Sequence, residues 1–87
     1  MPYIPKQKRE LYNPAVDRLI TDLVKNNYTS GELNYCVSKL VWSLFEKEKR
    51  YSKANELVGA IECVKQEFIR RKLNIYEDQK IEEEGDL

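Results

Sequence analysis

Lys65, Arg70, Arg71 and Lys72, with Tyr76 a short way beyond, form the densest cationic and aromatic grouping in this 87-residue chain. Guanidinium forks make paired hydrogen bonds to phosphate oxygens, and a tyrosine ring offers a face on which a base can stack. The chemistry these types point to is the holding of a small anion rather than the making of a bond. Arginines near a helix C-terminus also complement the helix dipole, which is a purely structural use of the same residues. Asn34 and Tyr35 supply a second candidate ligand-binding pair, because asparagine is a poor helix former and is favoured in a helix chiefly where its amide makes a specific hydrogen bond.

Catalytic chemistry finds little footing. The chain has no histidine, the usual general base, metal ligand and proton shuttle near neutral pH. Glu56, Glu62 and Glu67 follow one another along a predicted helix and Glu32 opens another, but di-metal sites in helical bundles take Glu-x-x-His pairs. Glu62 with Gln66, and Glu67 with Arg71, have the i,i+4 spacing of ordinary helix-surface contacts. Cys63 has only lysine or glutamate to act as a base and reads as a small packing residue. The expectation is a protein without catalytic residues, metal or cofactor.

Composition sets the frame for those residues. Fifteen basic and fifteen acidic side chains cancel, so no net field draws the chain to nucleic acid or an anionic membrane. The balance is uneven along the chain: residues 1–53 carry ten basic and six acidic groups, residues 54–87 five and nine. Halves of opposite sign are compatible with antiparallel or head-to-tail self-association. Cys36 and Cys63 are too few for a disulfide framework or a zinc ribbon and fit a reducing compartment. The opening residues have no apolar run behind their charges, and no stretch approaches the roughly 20 apolar residues of a membrane span. A cytoplasmic location is expected.

The elements that must position the candidate residues are read as helices. Residues 1–12, with two prolines, two tyrosines and a basic cluster, predict an extended arm. Asn13-Pro14 reads as a cap and first helical position, with Val16, Leu19, Ile20, Leu23 and Val24 as the apolar stripe of a helix over 13–27. Thr29-Ser30-Gly31-Glu32 has the spacing of a capping box and opens a helix over 29–50, striped by Leu33, Cys36, Val37, Leu40, Val41 and Leu44. Ser52 is placed as the N-cap of a third helix over 52–78, striped by Leu57, Val58, Ile61, Val64 and Phe68. In its middle, Gly59, Ala60 and Cys63 make a small-residue patch suited to close approach by another helix. Residues 79–87 read as a frayed or partner-docked acidic tail.

The fold expected is one all-α domain: a three-helix, antiparallel, bundle-like protomer with an extended N-terminal arm. So short a chain buries only a thin core, about 60–65% of its unfolded surface. Trp42, Phe45, Tyr35 and Tyr51 exceed what a single stripe can hide, which points to a homo-oligomer whose interface takes Trp42 and Phe45 with Gly59 and Cys63.

Several segments together resemble a family of short, uncharacterised proteins carried mainly by bacteriophages and prophages. They are Met1-Pro2-Tyr3-Ile4-Pro5, Gly31-Glu32-Leu33-Asn34-Tyr35, Asn55-Glu56-Leu57-Val58-Gly59 with Ile61-Glu62-Cys63-Val64-Lys65, Glu67-Phe68 with Arg70-Arg71, and Tyr76-Glu77-Asp78 with Lys80-Ile81 and Gly85-Asp86. In the family pattern an aromatic often stands where this chain has Ile69, and a proline where it has Ile75. The first departure removes a stacking group and the second lets the third helix run further. The resemblance implies a viral or mobile-element setting and no particular chemistry. The functional expectation is a non-enzymatic accessory protein that sequesters a small phosphorylated or nucleotide ligand, through Lys65, Arg70, Arg71, Tyr76, Asn34 and Tyr35, or that blocks a host protein. The competing readings are a helix-turn-helix regulator and a virion assembly component. The regulator is disfavoured by a connection longer than that motif's turn and by a third helix without a basic N-terminal face.

Overall fold

A computed structural model of the protein describes residues 4–87, and all regular structure among them is helical. Met1, Pro2 and Tyr3, the start of the family-like opening, lie outside the described residues. In chain order the elements are α1 (Lys6–Lys25), α2 (Ser30–Lys47), α3 (Tyr51–Phe68), a π-helical turn (Ile69–Leu73) and α4 (Asn74–Glu84).

α1 begins at Lys6, so the extended arm expected over residues 1–12 is overturned from Lys6 onward. Pro5 occupies the cap, its carbonyl accepts the N–H groups of Lys8 and Arg9, and the Arg9 guanidinium reaches back to the Ile4 carbonyl at 2.9 Å. Residues 6–12 are strong helix formers apart from Tyr12, and their propensity outweighs the helix-starting signal of Asn13-Pro14. Pro14 is therefore inside the helix, where it takes one N–H out of the backbone ladder.

α1 closes on Asn27, which is left-handed (φ 51°), with the Tyr28 N–H returning to the Leu23 carbonyl at 3.1 Å. This is a Schellman turn with asparagine in the position glycine usually fills. Thr29 then caps α2, its Oγ1 accepting the Glu32 N–H at 3.1 Å. α2 stops at Lys47, three residues before the expected end, and the Arg50 N–H bonds to the Glu48 carbonyl across the corner. The connection to α3 is thus residues 48–50 alone, so the expectation of a connection longer than a helix-turn-helix turn is overturned. α3 starts at Tyr51 with Arg50 as its cap residue and no side-chain cap, so Ser52 does not serve as the N-cap.

From Tyr51 to Glu84 the chain is one rod. The junction residues Phe68, Ile69, Leu73 and Asn74 all keep right-handed helical angles. At 1.5 Å per residue it is about 51 Å long, which accounts for the 50 Å long dimension of the molecule. The acidic tail expected from residue 79 is helical as far as Glu84, because Glu and Lys are good helix formers and Lys80 pairs with Glu83 at 3.6 Å. Gly85 (φ 89°) ends it.

Side-chain packing is confined to two corners. Leu19 and Leu23 of α1 share a groove with Cys36 of α2, and Val41 and Phe45 of α2 face Ala54 and Leu57 of α3. Among the described residues no side chain is fully buried. The radius of gyration is 16.5 Å, against about 12 Å for a compact domain of this length. Beyond the corners the helices splay, and the core of a three-helix bundle is not closed within one copy.

Candidate functional site

The cationic grouping sits on the wide turn between α3 and α4, since Arg70, Arg71 and Lys72 are three of the five π-helical residues. The Asn74 N–H bonds to the Ile69 carbonyl, five residues back, which marks the insertion of one extra residue into the α-helical ladder. Such turns recur at functional sites because they re-aim side chains that a regular helix would scatter.

Glu67 organises this turn. Its carboxylate takes the Arg70 guanidinium at 3.1 Å and that of Arg71 at 3.7 Å, and it is itself only 22% exposed. The two guanidiniums thus share one carboxylate acceptor. Tyr76 lies on α4 with its ring exposed and the Lys80 ammonium 5.8 Å from its centroid. Lys65 turns elsewhere: it is five residues before Arg70, about 140° around the helix axis, and it pairs at 3.9 Å with Glu62, which also accepts from Gln66 at 3.0 Å.

Asn34 and Tyr35 belong to a different surface. They line a shallow groove of about 580 Å³ along α2, with Gly31, Ser38, Lys39, Trp42, Ser43 and Glu46. The Ser38 hydroxyl donates to Asn34 Oδ1 at 3.1 Å, and the Lys39 ammonium stands 5.9 Å from the Tyr35 ring. Trp42 is 72% exposed beside it. The six expected ligand-binding residues therefore occupy three places in one copy: the π turn and the adjoining Tyr76, the opposite side of α3, and α2.

Of the expected interface residues, Phe45 is half-buried against α3, whereas Trp42 and Cys63 are open. Gly59 has nothing within 4 Å of where a Cβ would stand, so within one copy no helix approaches the small-residue patch. Among the described residues no three metal-ligating side chains converge, and no helix is long and apolar enough to cross a membrane. Sequence reasoning missed Glu67 as the organiser of the arginines. The signal available was its spacing of three and four residues from Arg70 and Arg71, of which only the second was used. It also missed the π turn, for which the positions of Leu73 and Tyr76 relative to the earlier apolar stripe were the available sign.

A second electrostatic cluster joins the α2–α3 corner. Lys53 reaches Glu56 at 2.9 Å and Glu48 at 3.1 Å. Hydrogen bonds to Glu56 and Glu48 raise the Lys53 ammonium above its ordinary value, and the bond from Lys53 holds the Glu56 carboxyl below the usual carboxylate range. This cluster ties the corner rather than offering an open charge.

The chain belongs to a family defined by a domain of unknown function, DUF6899, whose model matches residues 1–87. No curated protein and no solved structure matches the chain.

Proposed function

We propose that the chain works by binding and not by catalysis, as a cytoplasmic accessory protein of phage type that assembles with itself and captures a small phosphorylated ligand of the nucleotide class. The observation that carries this reading is the pair Arg70 and Arg71 gathered on Glu67 at the π turn, with the exposed Tyr76 following in α4. Phosphate would replace Glu67 as the acceptor of the two forks, and the tyrosine face would take the base. On one copy the cluster stands in water, where such contacts are weak. A second copy would complete the helical bundle and lower the dielectric around the turn, strengthening each charge-assisted bond.

Titration calorimetry against nucleotides and cyclic nucleotides, at low and moderate salt, tests this. Binding should fall at least tenfold in the Arg70→Ala, Arg71→Ala double variant with helical content unchanged. Equal affinity in that variant would place the site elsewhere. A second reading, occupation of a host protein's surface, is favoured by Trp42, whose exposed indole over the α2 groove is the kind of side chain that anchors protein interfaces. Absence of heat with every nucleotide would leave that reading in place.

A further inference from the structure

Taking Leu57 as the origin and advancing about 100° per residue, Ile61, Val64 and Phe68 fall within roughly 40° of it. These four make a coiled-coil-like seam with spacings of four, three and four. A regular helix would then carry Leu73 and Tyr76 away, to about 160° and 100°. The π turn changes this. With one residue inserted between Phe68 and Asn74, Leu73 and Tyr76 return to about 60° and 0°. The turn thus keeps one apolar seam continuous from Leu57 to Tyr76. α2 covers it only at Leu57, and Ile61, Val64, Phe68, Leu73 and Tyr76 are all exposed.

We propose that this seam is the docking surface for a second copy of the chain, the two long helices lying antiparallel about a two-fold axis near residues 66–67. The proposal rests on the self-assembling reading above and adds which face is used and in which direction. Area speaks for a second copy. The accessible surface is 8140 Å², whereas a folded monomer of this mass exposes roughly 5,300 Å². The excess, about 2,800 Å² per copy, is on the scale of obligate assemblies rather than of transient partners.

Charge speaks for the direction. The rod ends in Glu82, Glu83 and Glu84, while its other end carries Lys49 and Arg50 at the α2–α3 corner. Antiparallel pairing about residues 66–67 sets the acidic end of one copy against the basic corner of the other, and parallel pairing would set like on like. The basic groups already have carboxylate neighbours, but those pairs are solvent-exposed and readily shared. The excess surface of the whole chain and the opposed charge at the two ends of the seam thus select the same occupant.

Spin labels at Lys65→Cys or Gln79→Cys, in a Cys36→Ser, Cys63→Ser background, read the arrangement directly by electron–electron distance measurement. The antiparallel pair should give a short separation at position 65, under about 25 Å, and a long one at 79, roughly 35–40 Å, from the rise per residue. Short distances at both positions would overturn the antiparallel arrangement while leaving self-assembly and ligand capture standing. A monomer by sedimentation at tens of micromolar would overturn this proposal together with the self-assembly on which it rests, giving the seam to a foreign partner or to α1 of the same copy. Inserting one alanine after Lys72 adds a further 100° and turns Leu73 and Tyr76 off the seam, to about 160° and 100°. Self-association should weaken at least tenfold with helical content retained, and unchanged association would show that the seam beyond Phe68 is not used.

Discussion

Thr29 holds the start of α2 through one atom, its Oγ1 on the Glu32 N–H. Thr29→Ala should cost about 1 kcal/mol in denaturant melts and Thr29→Ser almost nothing, because only the hydroxyl is needed. Asn27 works at the preceding turn through its backbone: at φ 51° a β-branched side chain is strained. Asn27→Val should therefore lose about 1–2 kcal/mol and Asn27→Gly should be neutral or better. The Lys53 cluster acts through charge. With Glu56 held below its ordinary value, its contribution is complete above the usual carboxylate range and is lost as pH falls through the lowered value. With Lys53 raised, its contribution is complete below the usual ammonium range and is lost as pH rises through the raised value. Lys53→Met should thus lower the melting temperature at neutral pH, and the gap between variant and parent should close in strong acid. The Thr29 cap was legible in the sequence because donor and acceptor lie three residues apart. Arg50 as the cap position of α3 was not, since it depends on how the chain turns the α2–α3 corner and leaves Ser52 inside the helix.

At the scale of elements, apolar periodicity found the helices and local breakers misplaced their ends. Pro14 looked like a beginning because proline suits a first turn, yet the seven residues from Lys6 to Tyr12 carry the helix through it. An interior proline costs up to about 3 kcal/mol relative to alanine, so Pro14→Ala should raise both helical ellipticity and melting temperature. Gly59 looked like a contact point because small residues admit close neighbours. In the structure it faces open space, on the side of α3 away from the seam. Gly59→Ala should then stabilise α3 by about 1 kcal/mol through propensity alone. A melting temperature that falls in this variant would mean that a second copy packs on the small-residue patch after all. The π turn was missed at this scale for a plain reason: one inserted residue shifts a stripe by about 100°, and a reading that keeps a strict helical period sees the stripe end at Phe68.

For the whole molecule, the comparison that matters is between apolar surface and available core. Helix identity was readable from the chain because it is decided within each segment. Closure of a bundle was not: the stripes named in the sequence stay largely exposed among the described residues. A protomer this open, with a radius of gyration of 16.5 Å, has little to oppose the conformational entropy of 87 residues on its own. Folding and association should then be one event, and stability should depend on protein concentration by mass action. For a dimer, tenfold dilution removes about 0.7 kcal/mol per protomer, half of the 1.4 kcal/mol that a factor of ten represents. For a chain of this size that lowers the melting temperature by about 3–6 °C. Thermal melts followed by circular dichroism over a hundredfold range of concentration would therefore spread by several degrees. Superimposable curves would show that one copy holds its helices together unaided, and that the exposed seam contributes nothing to the stability of the fold.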